Sequence, residues 1–424
     1  MALEELKDKK ILILGFGREG QDTFRFLRKL FPKKIIGIAD KSEKIKKPDK
    51  NTETHLGENY LLALKKYDIV IKSPGIPFKI LPSSVVKKIV TQTDIFFDNC
   101  KGQIVGITGT KGKSTTASLS YKILKEGGVK AHLMGNIGKP VLNLLFSTTP
   151  KDVYVYELSS HQLYNLKKSP RVAVFLNLFT EHLDYYRNLK EYAKAKANIA
   201  LHQTRNDYLI YNAQDKIVKE VAQKSKAKKI PIKGKYYELD RAGARAVGKI
   251  FKIPPQVIEK AIKRFKYLPH RLEPVGTFKG ITFYNDALAT IPEATMSAMD
   301  ELGNKVETIM LGGFDRNIDF KKLAEKILQS KIKTIIFFPT TGEKIWRDIV
   351  RQDKNRQYKK SGVLNHFFVD SMKDAVNFAY QYTKKGKICL LSTASASFGI
   401  FKDYKEKGDL FKKYVRKYGY GKKI

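Results

Sequence analysis

Two glycine-rich turns give this sequence its clearest means of handling phosphate. The first to consider is Gly106-Ile-Thr-Gly109-Thr110-Lys111-Gly112-Lys113-Ser114-Thr115, set between a β-branched run and an amphipathic stretch. Glycines there free backbone N–H groups to cradle phosphate, Lys113 is long enough to reach the terminal phosphates of a nucleoside triphosphate, and Ser114 can ligate Mg²⁺. The strict form of such a loop has its first glycine where Ile107 stands, so the alternative is a structural turn, which would need neither the lysine nor the serine. Nearer the N-terminus, Gly15-Phe16-Gly17-Arg-Glu-Gly20 follows another apolar run, and Asp40 closes the next run roughly 20 residues on, the spacing of a dinucleotide fingerprint. Small residues let the backbone approach an anion at a helix N-terminus. A tight turn has the same requirement, so the motif marks a nucleotide-type pocket better than it marks NAD.

Downstream runs end in groups that bind hard cations or cap helices: Glu157-Leu-Ser159-Ser160-His-Gln162 and Thr180-Glu181-His182-Leu-Asp184. Ligands of parallel sheets sit beyond the carboxyl ends of strands, which would bring Glu157 and His182 to the phosphates as Mg²⁺ ligands. Each alone could equally be a cap or a surface residue. His161, His55 and His366 have no such setting and read as ordinary polar residues.

The elements that must hold these groups follow from periodicity. Short β-branched runs (Lys10–Leu14, Lys34–Ile38, Asp68–Lys72) alternate with longer amphipathic stretches, the pattern restarts at Gln103–Ile107, Val153–Val155, Val172–Leu176 and Tyr208–Tyr211, and a further series covers Val306–Leu311, Lys333–Phe338, His366–Val369 and Lys387–Leu391. This is an α/β pattern of βαβ units around parallel sheets. Breaks near Asp98–Gly102 and Tyr267–His270 divide it into 1–98, 99–269 and 270–424. The runs Lys41–Lys50 and Lys224–Lys235 read as solvated loops or helix faces.

Composition limits the partners. Across 424 residues, 81 Lys and Arg against 42 Asp and Glu give a net charge of +39, with 42% hydrophobic residues and two cysteines. Two cysteines cannot make a disulfide framework, and no apolar run approaches the ~18 residues that cross a bilayer. Neither a signal peptide nor a membrane span is expected, and a reducing, cytoplasmic setting fits. The lysines are spread along the chain without the aromatic interleaving of a stacking surface, so no specific nucleic-acid partner is expected. A basic surface still gathers anionic small molecules.

In order along the chain, Thr108–Thr115, Glu157–Leu163, Glu181–Asp184, Leu268-Pro-His-Arg-Leu-Glu273, Asn285-Asp286, Leu311-Gly-Gly313 and Leu391-Ser-Thr-Ala-Ser-Ala-Ser397 resemble the motifs of the Mur ligase family. The resemblance covers all of the proposed domains and is strongest to members that add glutamate to UDP-N-acetylmuramoyl-L-alanine in peptidoglycan precursor synthesis. It implies a three-domain architecture: a Rossmann-like N-terminal domain for the uridine diphosphate moiety, a central ATPase domain, and a Rossmann-like C-terminal domain for the amino acid. Gly15, Phe16, Gly17, Asp40, Ser73, Pro74 and Gly75 would then hold the uridine nucleotide, with Asn136, Ser159 and Gln162 beside the muramoyl part. Gly109–Thr115, Arg271 and Asp286 would bind ATP. Lys113 would serve the transferring phosphoryl group, and Ser114, Glu157 and His182 would hold magnesium. Lys196 falls where the family carries a carbamylated lysine, which would hold a second Mg²⁺. Arg316, Ser397 and Tyr404 would receive glutamate. A monomer working on small molecules is implied.

Departures gather on amino-acid and adenine recognition. Leu288 and Arg316 stand where the family has lysines, Tyr404 where phenylalanine is usual, and Lys111 where asparagine is common. Leu239-Asp240 lies roughly where a His-Asn pair would meet adenine. D-glutamate is the expected amino acid, with the L-glutamate-adding variant as the alternative. A non-catalytic nucleotide- or nucleic-acid-binding protein is the reading from a different class.

Overall fold

Runs of Ile, Val and Leu buried on both faces favour parallel strands covered by helices on either side, and the computed structural model contains three such sheets. It describes residues 1–135, 141–179, 185–234, 236–265, 268–353 and 365–421.

The first sheet has the order β3-β2-β1-β4-β5 and is wholly parallel: β1 Ile11–Leu14, β2 Ile36–Asp40, β3 Thr52–Leu56, β4 Ile69–Lys72 and β5 Ile89–Val90. Leu14 pairs with Ala39 on one side and Lys72 on the other. That register brings Gly15, Asp40 and Ser73 out together at the carboxyl edge. Helix α1 (Arg18–Leu30) starts in the turn after β1 and buries Phe26 and Leu27 with Ile11, Ile13, Ile36 and Ile38. Helix α2 (Gln92–Asn99) begins at a Thr91–Asp94 capping box.

The second sheet, order β11-β10-β9-β6-β8-β7, is also parallel: β6 Gln103–Thr108, β7 Ala131–Gly135, β8 Val153–Glu157, β9 Val172–Phe175, β10 Tyr208–Asn212 and β11 Lys228–Ile232. Its helices are α3 Lys113–Glu126, α4 Ser160–Leu163, α5 Leu189–Leu201, α6 Lys216–Lys224, α7 Tyr236–Ile250 and α8 Pro255–Lys263. The stretch Lys224–Lys235, expected to be a loop or helix face, contains the edge strand β11. Lys228, Lys229 and Pro231 are exposed on it, and Lys and Pro are residues that protect a free edge from further pairing.

The third sheet, order β12-β13-β17-β14-β15-β16, departs from the parallel pattern at one edge. Its strands are β12 Glu273–Phe278, β13 Ile281–Asn285, β14 Val306–Gly312, β15 Thr334–Phe338, β16 Asn365–Phe368 and β17 Ile388–Leu391. β12 and β13 are antiparallel, joined through Lys279 and Gly280 at φ 50° and 81°, the positive dihedrals of a two-residue hairpin turn. Helices α9 Pro292–Leu302, α10 Lys321–Leu328, α11 Thr341–Gln352, α12 Met372–Tyr382 and α13 Tyr404–Gly419 accompany it. The chain divides into two compact units, Met1–Phe265 with the first two sheets and Lys266–Ile424 with the third. No helix among the described residues is long and apolar enough to cross a membrane.

Candidate active site

The phosphate loop leaves β6 and enters α3 at Gly112, whose φ is 84°; a Cβ there would fall 2.0 Å from Asp240 Oδ1. The position accepts only glycine without displacement. Lys113 Nζ donates to the carbonyls of Gly109 (3.0 Å) and Thr110 (2.9 Å), so its ammonium lies over the loop. Asn177, just beyond β9, holds the loop from outside: its Oδ1 accepts from Lys111 N at 2.8 Å, its Nδ2 donates to Lys111 O at 3.1 Å, and its carbonyl accepts from Thr110 N at 2.9 Å. Thr115 is buried in the first turn of α3.

Register places Ile107 of β6 against Glu157 of β8. Ser114 Oγ donates to Glu157 Oε1 at 2.9 Å. Glu157 is 3% exposed and its Oε2 has no hydrogen-bond partner among the described residues. A buried carboxylate oxygen without a donor costs free energy unless something cationic or protic meets it. A serine hydroxyl and a carboxylate at a phosphate loop are oxygen donors suited to Mg²⁺, so the residues present fit that ion. Among the described residues no group of three His, Cys, Asp or Glu could hold a metal. His182 and Asn136 lie outside the described residues.

Lys196 comes to the same loop from α5. It is 1% exposed, with Nζ 2.9 Å from Gly109 O, 3.3 Å from Thr108 Oγ1 and 4.9 Å from the Tyr192 ring. One helical turn earlier, Tyr192 OH lies 3.2 Å from Thr110 Oγ1. Leu239 is in the core of the second sheet, and Asp240 accepts from Thr116 Oγ1 at 3.1 Å beside Gly112. Where the family's His-Asn pair would stand, Leu239 packs in the core and Asp240 braces the first turn of α3.

At the first sheet, Asp40 Oδ2 accepts from Phe16 N at 2.6 Å and Oδ1 from Ser42 N at 2.8 Å. Ser73 Oγ donates to Gly15 O at 2.8 Å. A Cβ on Gly20 would sit 2.0 Å from Gly15 O, which explains the last glycine of the motif. Gly17 and Gly75 face open space. A cavity of about 240 Å³ lies alongside, lined by Arg18, Glu19, Asp22, Arg25 and Gln92 of the first sheet's helices and by Gly135 and Val141.

Ser159 and Gln162 form a capping box on the short helix α4, and Gln162 Nε2 reaches Glu19 Oε1 at 3.3 Å. These two residues thus join the second sheet to the glycine turn of the first. Burial raises the Glu19 carboxyl to about 7, with Asp22 adding to the effect and Lys72 opposing it. Burial likewise pulls the Lys72 ammonium down to about 8 against the attraction of Glu19. His161, read from sequence as an ordinary polar residue, packs edge-on against Tyr185 with ring centroids 4.1 Å apart.

In the third sheet's unit, Asp286 takes Leu272 N on Oδ1 (3.0 Å) and Ser392 Oγ on Oδ2 (2.9 Å). Arg271 precedes Leu272 in that turn, its N–H donating to Leu268 O at 3.1 Å. His270 is buried against Asn285 Nδ2 at 3.1 Å, and Tyr404 meets its ring edge-on at 5.8 Å. Phe314 N donates to Ala396 O at 2.8 Å, tying the Arg316 loop to the Ser397 loop, and the Arg316 guanidinium stands 5.8 Å from the Phe398 ring. Ser397 Oγ is buried without a partner among the described residues. An orphaned hydroxyl beside a loop bearing an exposed guanidinium suits an incoming carboxylate. Sequence reasoning missed Lys407, 1% exposed on α13, whose Nζ donates to Thr393 Oγ1 at 2.6 Å and which burial pulls down to about 7 against the opposing charge of Asp286. It is one lysine among many and carries no local signal. Asn177 did carry one, since it follows a strand at the edge where ligands bind.

A family model described as the Mur ligase middle domain matches residues 107–251, from the end of β6 past α7. The UDP-N-acetylmuramoylalanine–D-glutamate ligase of Acetivibrio thermocellus is 31% identical over 459 residues, covering 97% of this chain and 97% of its own. The ligase of the same name from Bacillus cereus is 32% identical over 455 residues, covering 97% and 98%. A solved structure of MurF ligase from Thermotoga maritima in complex with ADP superposes with a TM-score of 0.58 at 16% identity, over 97% of each chain, a likeness of fold. Identity at this level along the whole chain, with the phosphate loop inside the matched middle domain, makes this protein a member of the Mur ligase family.

Proposed function

We propose that this protein is an ATP-dependent ligase that joins D-glutamate to UDP-N-acetylmuramoyl-L-alanine in the cytoplasm, in peptidoglycan precursor synthesis. The observation that carries the reading is the Ser114–Glu157 pair, with its unpartnered carboxylate oxygen, beside Lys113 at the phosphate loop, in a chain similar from end to end to ligases of that name. Residues 1–98 would take the uridine nucleotide, 99–269 ATP and 270–424 glutamate.

The chemistry divides into two displacements. An oxygen of the alanyl carboxylate attacks the γ-phosphorus of ATP, the bond to the β–γ bridging oxygen breaks, and ADP leaves with that electron pair. The acyl phosphate then accepts the glutamate nitrogen at its carbonyl carbon. The tetrahedral adduct expels inorganic phosphate, which carries away the carboxylate oxygen, and the nitrogen loses its proton as the amide forms. Such transfers depend on positioning and charge neutralisation. Lys113, with the amides of Gly109–Gly112, would neutralise the migrating phosphoryl group. Ser114 and Glu157, together with His182, would hold Mg²⁺, which when bound supplies positive charge to the phosphate oxygens. Lys196, as its carbamate, would hold a second Mg²⁺; carbamylation replaces an ammonium by oxygen donors of the kind that ion takes. Arg316 and Ser397 would receive the carboxylates of glutamate, Arg316 by a forked geometry that lysine lacks, with Tyr404 nearby.

The test is phosphate release with ATP, Mg²⁺ and UDP-N-acetylmuramoyl-L-alanine, in the presence of D-glutamate, L-glutamate or neither. Turnover with D-glutamate alone is expected. Turnover with L-glutamate alone would keep the mechanism and reverse the stereochemistry, and silence with both would reject the ligase.

A further inference from the structure

We propose that Tyr185 is a positioning residue that sets the acceptor-nucleotide loop of the first sheet from the side of the ATP site. The inference rests on the reading that Ser73-Pro74-Gly75 faces the uridine nucleotide. Tyr185 OH is 3.3 Å from Pro74 O and 3.2 Å from Ile76 O, so its one proton is shared between two carbonyls of that loop. The loop is held from beneath by Lys72, whose Nζ donates to Ser73 O at 3.0 Å and Ile76 O at 2.8 Å. Between them, the two side chains fix the peptide planes of the turn that follows β4, including the one that bears Gly75.

The other end of the contact leads to the phosphate loop. Tyr185 follows Glu181-His182-Leu-Asp184 in the chain. Its ring meets His161 of α4 edge-on, and Tyr186 next to it packs 5.3 Å from Tyr192, whose hydroxyl is 3.2 Å from Thr110 Oγ1. Burial lifts the Tyr185 phenol well above its ordinary range, so it stays a donor at physiological pH. A hydroxyl with one proton, aimed at two loop carbonyls from a segment linked through Tyr192 to the ATP loop, is suited to setting where the acceptor's diphosphate lies relative to the phosphoryl donor. An aromatic ring alone would fill the same space without fixing those carbonyls.

Tyr185→Phe in the full-length enzyme keeps the ring and its packing on His161 and removes the donor. The measurements are calorimetric titration with UDP-N-acetylmuramoyl-L-alanine without ATP, then steady-state KM for that nucleotide and for ATP, with thermal unfolding to confirm a native fold. Loss of one neutral hydrogen bond predicts roughly two- to tenfold weaker nucleotide binding, the same rise in its KM, and an unchanged KM for ATP. A merely structural role would leave this split absent. His161→Leu, which loosens the ring's seat, should shift the nucleotide KM in the same direction by less. A folded Tyr185→Phe protein with wild-type nucleotide affinity would overturn the proposal alone. Wild-type protein that fails to bind the nucleotide would overturn the acceptor reading itself, and the proposal with it.

Discussion

The chain makes the same strand–turn–helix twice within its first 126 residues and equips the two copies differently. After β6, the turn carries a cation, Lys113, over the loop and a Ser114–Glu157 pair beneath it. After β1, the turn has carboxylates in the corresponding space, with Glu19 and Asp22 in the opening turns of α1, and backbone amides with Arg18 and Arg25 alongside to offer an anion. Both have the glycine geometry that would bring backbone to phosphate, but only the turn after β6 also carries a side-chain ammonium over its loop, where it would neutralise charge that moves. The comparison teaches that glycine spacing fixes the backbone geometry of both turns, and that the side chains at the helix start are what differ between them.

The sharpest way to break that contrast is Lys113→Ala. Loss of an electrostatic partner of the transferring group should lower kcat by roughly 10²–10³-fold with little change in affinity for the muramoyl nucleotide, as followed by phosphate release and titration. Arg18→Ala in the other turn should do the reverse, raising the KM for that nucleotide and sparing kcat. Glu157→Gln removes the charge of the orphaned carboxylate and should raise the Mg²⁺ concentration needed for half-maximal rate by at least about tenfold. An unchanged magnesium curve would remove Glu157 from the metal site.

Smaller effects concern the scaffolds. Gly20→Ala drives a methyl into Gly15 O and should destabilise the Met1–Phe265 unit by about 1–3 kcal/mol, read as an earlier thermal transition. Glu19 gives the first turn a pH signature. Its folded pKa, about 7, is above its unfolded value near 4.5, so the native state binds the extra proton. The stability it confers is complete below about pH 4.5 and is lost as pH rises through 7. Lys72, pulled down to about 8 from 10.5, has the opposite sign in a higher window: stability rises between those values and is lost as pH falls through 8. Glu19→Gln should flatten the fall of melting temperature between pH 4.5 and 7; an unaltered slope would contradict the assignment.

Much of this was legible in the sequence because its signals are local. β-branched runs give the central parallel strands, and the glycine turns lie where the runs end. The strands that escaped reading lack that signature: β5 has two residues, β3 is Thr-Glu-Thr-His-Leu, β7 is Ala-His-Leu-Met-Gly, and β11 is rich in Lys and Pro. The β12–β13 hairpin was signalled by Lys279-Gly280, but the surrounding parallel pattern masked an antiparallel edge. At the site, Lys113, Ser114, Glu157 and Lys196 do converge on one loop. Asn177 had only its place after a strand to announce it, and Asp240 and Tyr185 had nothing, since their roles arise from contacts with residues 66, 124 and 111 positions away.

The central claim is that a phosphoryl group passes at the phosphate loop to the alanyl carboxylate of the nucleotide that the other turn would hold. It is tested most directly with UDP-N-acetylmuramoyl-L-alanine carrying ¹⁸O in its alanyl carboxylate. Turnover with ATP, Mg²⁺ and D-glutamate should place one ¹⁸O in the inorganic phosphate released for each amide formed. Phosphate free of label, with both ¹⁸O atoms kept on the acceptor, would contradict the account, because ATP would then be hydrolysed without activating the carboxylate.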